Sequence, residues 1–223
     1  MFLSVFDVFK IGIGPSSSHT MGPMVAAARF LGDLRGGAEK IPGAGDLHRL
    51  GASLHGSLAW TGKGHATDRA VILGFCGLLP ETLDPDRAAD LEAEVRREKI
   101  VRPGGLPPLA FDPDADLEFD FGPPLPGHSN GMVLRAFDGA GNMYHQQTYY
   151  SVGGGFVVTA AELDRQRAAP QDLHAEKAQH HFPYPFGTAQ EMLKMGRDSG
   201  LSIARMKRAN KTVLHGPALD GRI

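Results

Sequence analysis

The chain has 223 residues, 42% hydrophobic and 22% charged, which is enough for one sizeable core with a tail. A formal charge of −2 gives no electrostatic case for nucleic acid or an anionic membrane surface as partner. No apolar run approaches the roughly 20 residues of a membrane span.

The N-terminal stretch MFLSVFDVFKIGIG carries apolar residues but no basic region and no small-residue cleavage site, and Asp7 interrupts it, so it reads as mature protein. After it comes GIGPSSSHTMGP (12–23), in which three serines, His19 and Thr20 stand between glycines and prolines. The apolar spacing from Pro23 to Leu34 then predicts a helix, begun by Pro23 and stopped by Gly36-Gly37. HRLGASLHGSLAWTG (48–62) reads as a strand leading into a turn, and GHATDRAVILGFCGLL (64–79) as a second, largely buried helix. Asp84–Arg102 is charged and reads as a solvated helix, followed by a loop, RPGGLPPLAFDPDAD. LEFDF (117–121), GMVLRAFD (131–138) and NMYHQQTYYSV (142–152) alternate as strands, with Gly139-Ala140-Gly141 as a hairpin turn.

The predicted order α-β-α-β-β-β implies an α+β fold, a two-layer domain with a mixed sheet and helices on one face, over residues 1–157. From Val157 the sequence turns polar and proline-broken and reads as a linker or mobile arm. Helical material beginning near Gly187 then has no partner to pack on, so residues 158–223 are expected to be a linker and the start of a further domain. Cys76 is the only cysteine. An intrachain disulfide is thereby excluded, which fits a cytoplasmic protein, and the chain alone cannot hold an iron–sulfur cluster or a thiolate zinc site.

Two loops carry candidate chemistry. In the first, Ser16, Ser17, Ser18 and Thr20 surround His19 just before a helix, where unpaired amides and short hydroxyls favour a carboxylate or phosphate. Capping is the plain alternative, but a cap uses one hydroxyl rather than four and has no need of a histidine. In the second, Thr61, Gly62, Lys63, Gly64 and His65 also lead into a helix, and the glycines admit a ligand close to the backbone. A solvated glycine-rich turn is the alternative there. Ser129 and Asn130, Ser151, and Gly153-Gly154-Gly155 are weaker candidates. His180 and His181 read as surface residues rather than metal ligands.

SVFDVFKIGIGPSSSHTMGPM, GSLAWTGKGHATD, HSNGM and YYSVGGGF closely resemble the N-terminal half of the single-chain bacterial iron–sulfur L-serine dehydratases, and PYPF with the following A-x-E-M-L resembles their connector. The resemblance implies a fold like the allosteric substrate-binding domain of some phosphoglycerate dehydrogenases. It also implies conversion of L-serine to pyruvate and ammonia with a [4Fe–4S] cluster and no pyridoxal phosphate. The cluster cysteines would lie in a helical C-terminal domain of the same protein, with no metal ligand in this chain and a homodimer as the assembly. It makes His65 and His19 the catalytic candidates, with His65 as first choice of base. Ser16, Ser17, Ser18, Thr20, Thr61, Gly62, Lys63, Gly64, Ser129, Asn130 and Ser151 would be the substrate-binding candidates. On this reading the 223-residue chain alone is inactive on serine. The competing readings are a regulatory module that senses serine or another small anion, a pyridoxal-phosphate enzyme using Lys63, and a scaffold whose histidine pair is accidental.

Overall fold

A computed structural model describes residues 10–38, 40–168 and 182–216; His180 and His181 fall outside them. The described residues divide into two compact units, Lys10–Arg167 and a second that includes residues 182–216.

The first unit begins with an irregular π-type turn, Ser17–Met21, running into α1 (Gly22–Arg35). Strand β1 (Leu47–Gly56) ends abruptly in the four-residue α2 (Ser57–Trp60). A 3₁₀ turn, Lys63–His65, precedes α3 (Thr67–Phe75). Then come α4 (Ala88–Glu98), the short β2 (Ile100–Val101) and β3 (Leu109–Ala110), β4 (Leu117–Asp120), β5 (Asn130–Asp138), β6 (Met143–Gly153), β7 (Phe156–Thr159) and α5 (Ala160–Ala168).

The fold is α+β with a mixed sheet, as the pattern predicts. Strands β3 and β4 run parallel to β1 along one edge of it, while β5, β6 and β7 continue antiparallel on the other side. Period-2 alternation puts Leu50 and Leu54 of β1, Met132, Leu134 and Ala136 of β5, and Tyr149 of β6 into one core with Phe30 and Leu31 of α1 and Val71, Ile72 and Phe75 of α3. Fully burying one such side chain contributes about 1.5–3 kcal/mol. Helices α1 and α3 can touch because of Gly74: a Cβ there would lie 2.4 Å from the Met24 carbonyl oxygen. That crossing fixes the two helix starts, and with them both histidine loops, against each other.

Several predicted elements change. In the stretch 48–62, expected to be a strand leading into a turn, the strand stops at Gly56 and residues 57–60 form the short helix α2. The helix expected over 64–79 is confined to Thr67–Phe75, with Ala66 left-handed at its start (φ 53°). The loop after Arg102 contains β3, whose two residues pair with β1 and β2. The stretch read as an arm from Val157 supplies β7 and α5 instead. Val158 and Thr159 are buried, and the Arg29–Glu162 ion pair (2.7 Å) ties α5 to α1. Tyr149 donates to Asp33 (2.7 Å) beside that pair, and Arg29, Asp33 and Glu162 line an open polar hollow of about 500 Å³. The predicted hairpin turn is present, and its cause is Asp138. This buried carboxylate accepts from the amides of Gly45, Ala140 and Asn142 and from Asn142 Nδ2, which holds it down to about 2.

In the second unit, α6 (Ala189–Ser199) opens on a capping box between Thr188 and Glu191, and α7 (Ile203–His215) follows. Asn210 holds Tyr184 through both its backbone groups (2.9 and 2.7 Å). Among the described residues no helix is long and apolar enough to cross a membrane.

Candidate active site

The two histidine loops meet. The rings of His19 and His65 lie 4.9 Å apart, centroid to centroid. Two threonines lock the approach: Thr20 Oγ1 donates to the His65 carbonyl (2.8 Å), and Thr67 Oγ1 donates to the His19 carbonyl (2.6 Å). Thr20 is buried and so acts as a tie between loops.

Each imidazole is held differently. His65 Nδ1 faces the carbonyl oxygen of Thr61 at 2.9 Å. A carbonyl only accepts, so Nδ1 carries a proton, and in the neutral ring Nε2 is left with its lone pair. His19 has both nitrogens engaged, Nδ1 with Ser18 Oγ and Nε2 with Ser57 Oγ, each at 2.9 Å. Burial, with a smaller contribution from the neighbouring His65, lowers the His19 pKa below its ordinary 6.5. Neutral imidazole is therefore the resting form of His19 at neutral pH.

The four hydroxyls of the first loop divide their work. Ser16 is the cap, accepting from the His19 amide (3.2 Å); Ser18 orients the His19 ring; Thr20 is the tie; Ser17 is exposed. In the second loop the Gly62 carbonyl accepts from the amides of His65 and Thr67 (3.0 and 2.9 Å), and Gly64 is open to solvent. Lys63 is exposed, its ammonium 5.1 Å over the Phe119 ring. Sheet register brings in the weaker candidates. Asn130 pairs with Gly56 across β5 and β1, and Asn130 Nδ2 donates to the Ser151 carbonyl (3.1 Å). The Ser151 hydroxyl is buried without a hydrogen-bond partner, close under Gly22 of α1. Ser129 contributes its carbonyl, which accepts from the Ser57 amide (2.8 Å), and its residue is exposed.

Ser57 is the site residue that sequence reasoning missed. The signal for it was present in GSL (56–58), a glycine before a serine where a buried strand ends. Reading 48–62 as a strand leading into a turn, without placing the strand end at Gly56, concealed it.

A second constellation has the distances of a Ser-His-Asp triad. Ser53 Oγ lies 2.8 Å from His55 Nε2, and His55 Nδ1 lies 3.2 Å from Asp120. It is no nucleophile site: Ser53 is 1% exposed and its oxygen already accepts from Arg135 (3.0 Å). Burial lowers the His55 pKa, against the pull of Asp120.

Both depressed histidines carry a pH prediction. Below about pH 6.5 the unfolded chain binds protons that folded His19 and His55 refuse, so stability present above that pH is lost as pH falls through it. Urea unfolding of this chain should show a lower midpoint at pH 5.5 than at pH 7.5, and His55→Gln should flatten the difference. Equal midpoints at the two pH values in the unaltered chain would count against it.

An α+β domain with a mixed sheet and an imidazole pair at two helix starts is the class that fold and site define. The family described as serine dehydratase beta chain matches residues 4–162, and the chain belongs to it. The chain is 40% identical over 211 residues to the L-serine dehydratase of Helicobacter pylori, covering 95% of this chain and 43% of the relative. The L-serine dehydratase of Streptomyces coelicolor is also 40% identical, and L-serine dehydratase 2 of Escherichia coli is 38% identical, each with 44% of its length covered. The chain thus spans less than half the length of the curated relatives it matches.

Proposed function

We propose that this chain is the proton-handling half of an L-serine dehydratase, which eliminates water from L-serine and yields pyruvate and ammonia. The observation that carries the proposal is the tethered His65. With Nδ1 committed to the Thr61 carbonyl, its Nε2 lone pair is the one imidazole nitrogen of the pair without a protein partner among the described residues. The α-hydrogen of serine is weakly acidic, so elimination needs a positioned base, and general-base catalysis contributes about 10²–10⁴-fold. His65 takes the α-proton on Nε2. His19, neutral beside it, avoids placing a second positive charge near the imidazolium that forms.

Ser17, Ser18 and the exposed ammonium of Lys63 are the groups proposed for the substrate carboxylate, with Ser16, Thr20, Thr61, Gly62 and Gly64 shaping the loops that present them. Asn130, Ser129 and Ser151 form the floor at the sheet end. The likeness to the substrate-binding domain of phosphoglycerate dehydrogenases belongs to the same proposal.

The [4Fe–4S] cluster of the resembling enzymes does not fit the residues of this chain. Among the described residues no group of three or more His, Cys, Asp or Glu could hold a metal, and burial pushes the Cys76 thiol up to about 11, away from the thiolate a cluster requires. The proposal therefore assigns the cluster to polypeptide outside this chain, in a helical domain that completes the site. The test is pyruvate formation from L-serine by the anaerobically prepared full-length protein, with the 223-residue chain as comparison. Turnover by the longer protein and none by the chain supports the proposal. Absence of turnover in the cluster-loaded longer protein, or robust turnover by the chain alone, overturns it.

A further inference from the structure

Ser57 occupies the crossing point of the histidine site. Its amide donates to the Ser129 carbonyl (2.8 Å), which anchors the start of α2 to the strand end of β5. Its carbonyl accepts from the Thr61 amide (3.0 Å) and the Thr61 hydroxyl (2.8 Å), and the carbonyl of that same Thr61 holds His65 Nδ1. Its hydroxyl meets His19 Nε2 at 2.9 Å. One residue thus connects to both imidazoles, to His65 through backbone and to His19 through its side chain.

A neutral imidazole has one donor and one acceptor nitrogen, so the two hydroxyls on His19 must be complementary: one donates where the other accepts. Ser18 is adjacent in sequence and follows any movement of the first loop. Ser57 stands on another element, pinned at its amide, and is the fixed reference. We propose that Ser57 is a positioning residue that sets the tautomer and ring orientation of His19, and so the spacing of the two histidines. The inference rests on the serine dehydratase reading for its kinetic consequence only; the hydrogen bond itself is testable without turnover.

Two measurements separate the cases. In the 223-residue chain, long-range ¹H–¹⁵N NMR of the imidazoles should show His19 as a single tautomer. Ser57→Ala should move its Nε2 resonance or mix the tautomers, Ser57→Thr should restore the pattern, and His65 should keep its Nδ1–H form throughout. Mixed tautomers at His19 in the unaltered chain, or an unchanged spectrum in Ser57→Ala, would overturn the inference whatever the enzyme does. In the full-length enzyme, Ser57→Ala should lower kcat about 10–100-fold, the range for loss of an orienting hydrogen bond on a functional imidazole, with a smaller change in KM. The acid limb of the kcat–pH profile should move as His19 loses its partner, and Ser57→Thr should recover most of the loss. Full activity and an unshifted profile in Ser57→Ala, with the unaltered enzyme active, refute the positioning role and leave the dehydratase reading standing. An inactive unaltered enzyme fails that reading instead, and the NMR result still decides the role of Ser57.

Discussion

Replacing His65 with glutamine in the full-length protein is expected to lower kcat for L-serine by about 10²–10⁴-fold, the contribution of a positioned general base, while the melting temperature stays within a degree or two. The expectation follows from how the ring is held. Only Nδ1 serves the fold, through one hydrogen bond to Thr61 in a largely exposed loop. The threonine tie that joins the two loops uses the His65 carbonyl, which any residue at position 65 supplies. Substitutions away from buried networks usually stay within about 0.5 kcal/mol, so stability and turnover should separate cleanly. Because the base acts in the transition state, kcat and kcat/KM should fall together. His19→Gln is the informative contrast: it breaks bonds to two hydroxyls on two elements and should cost stability as well as rate. Near-normal turnover in His65→Gln would remove His65 as the base and shift that role to His19 or to polypeptide outside this chain.

What could be read from the residues beforehand followed their periodicity. The α1 spacing and the alternation in β5 and β6 are strong because long amphipathic segments report their own burial, and the core of Phe30, Leu54, Leu134 and Tyr149 is the direct consequence. The short elements were illegible for a physical reason. Strands β2 and β3 have two residues each and exist only because they pair with each other and β3 finds an edge on β1. In β7, a glycine run followed by a polar segment hid a strand that tertiary pairing with β6 creates. At the site, residue types singled out the two loops that the fold brings together but could not apportion their hydroxyls. Ser16 as cap, Ser18 as ring partner and Thr20 as tie differ only in where the folded backbone points them. The meeting of His19 with His65 depends on the close crossing of α1 and α3 at Gly74, a long-range fact that no local window contains.

The second large effect is expected at Gly56, and it argues that the site is built into the sheet rather than hung from it. Gly56 has φ 58° and ψ −129°, a conformation open to glycine and strained for any other residue, and it turns a buried strand into α2 within one residue. A Cβ at this position would lie 2.4 Å from the Ser129 carbonyl oxygen and 3.0 Å from Pro124 Cβ, so backbone must give way. That same carbonyl is the acceptor for the Ser57 amide, and any retreat of the β5 entry loop pulls Ser57 from His19. Backbone strain and overpacking each cost about 1–3 kcal/mol, which places Gly56→Ala about 2–6 kcal/mol below the unaltered chain. At this domain size the melting temperature should fall by roughly 4–24 °C. Gly104→Ala is the control, since a Cβ there meets nothing within 4 Å and the backbone needs no left-handed conformation. It should melt with the unaltered chain. The tighter comparison is with Ser57→Ala, which removes the hydroxyl and leaves the turn intact. If Gly56→Ala melts like Gly104→Ala, the turn is soft, and α2 cannot be the fixed reference that holds His19. If it loses stability and its His19 resonance moves in the same direction as in Ser57→Ala, then strand end, serine and imidazole form one mechanical unit, with the geometry of the His19 loop set by a glycine at the end of a buried strand.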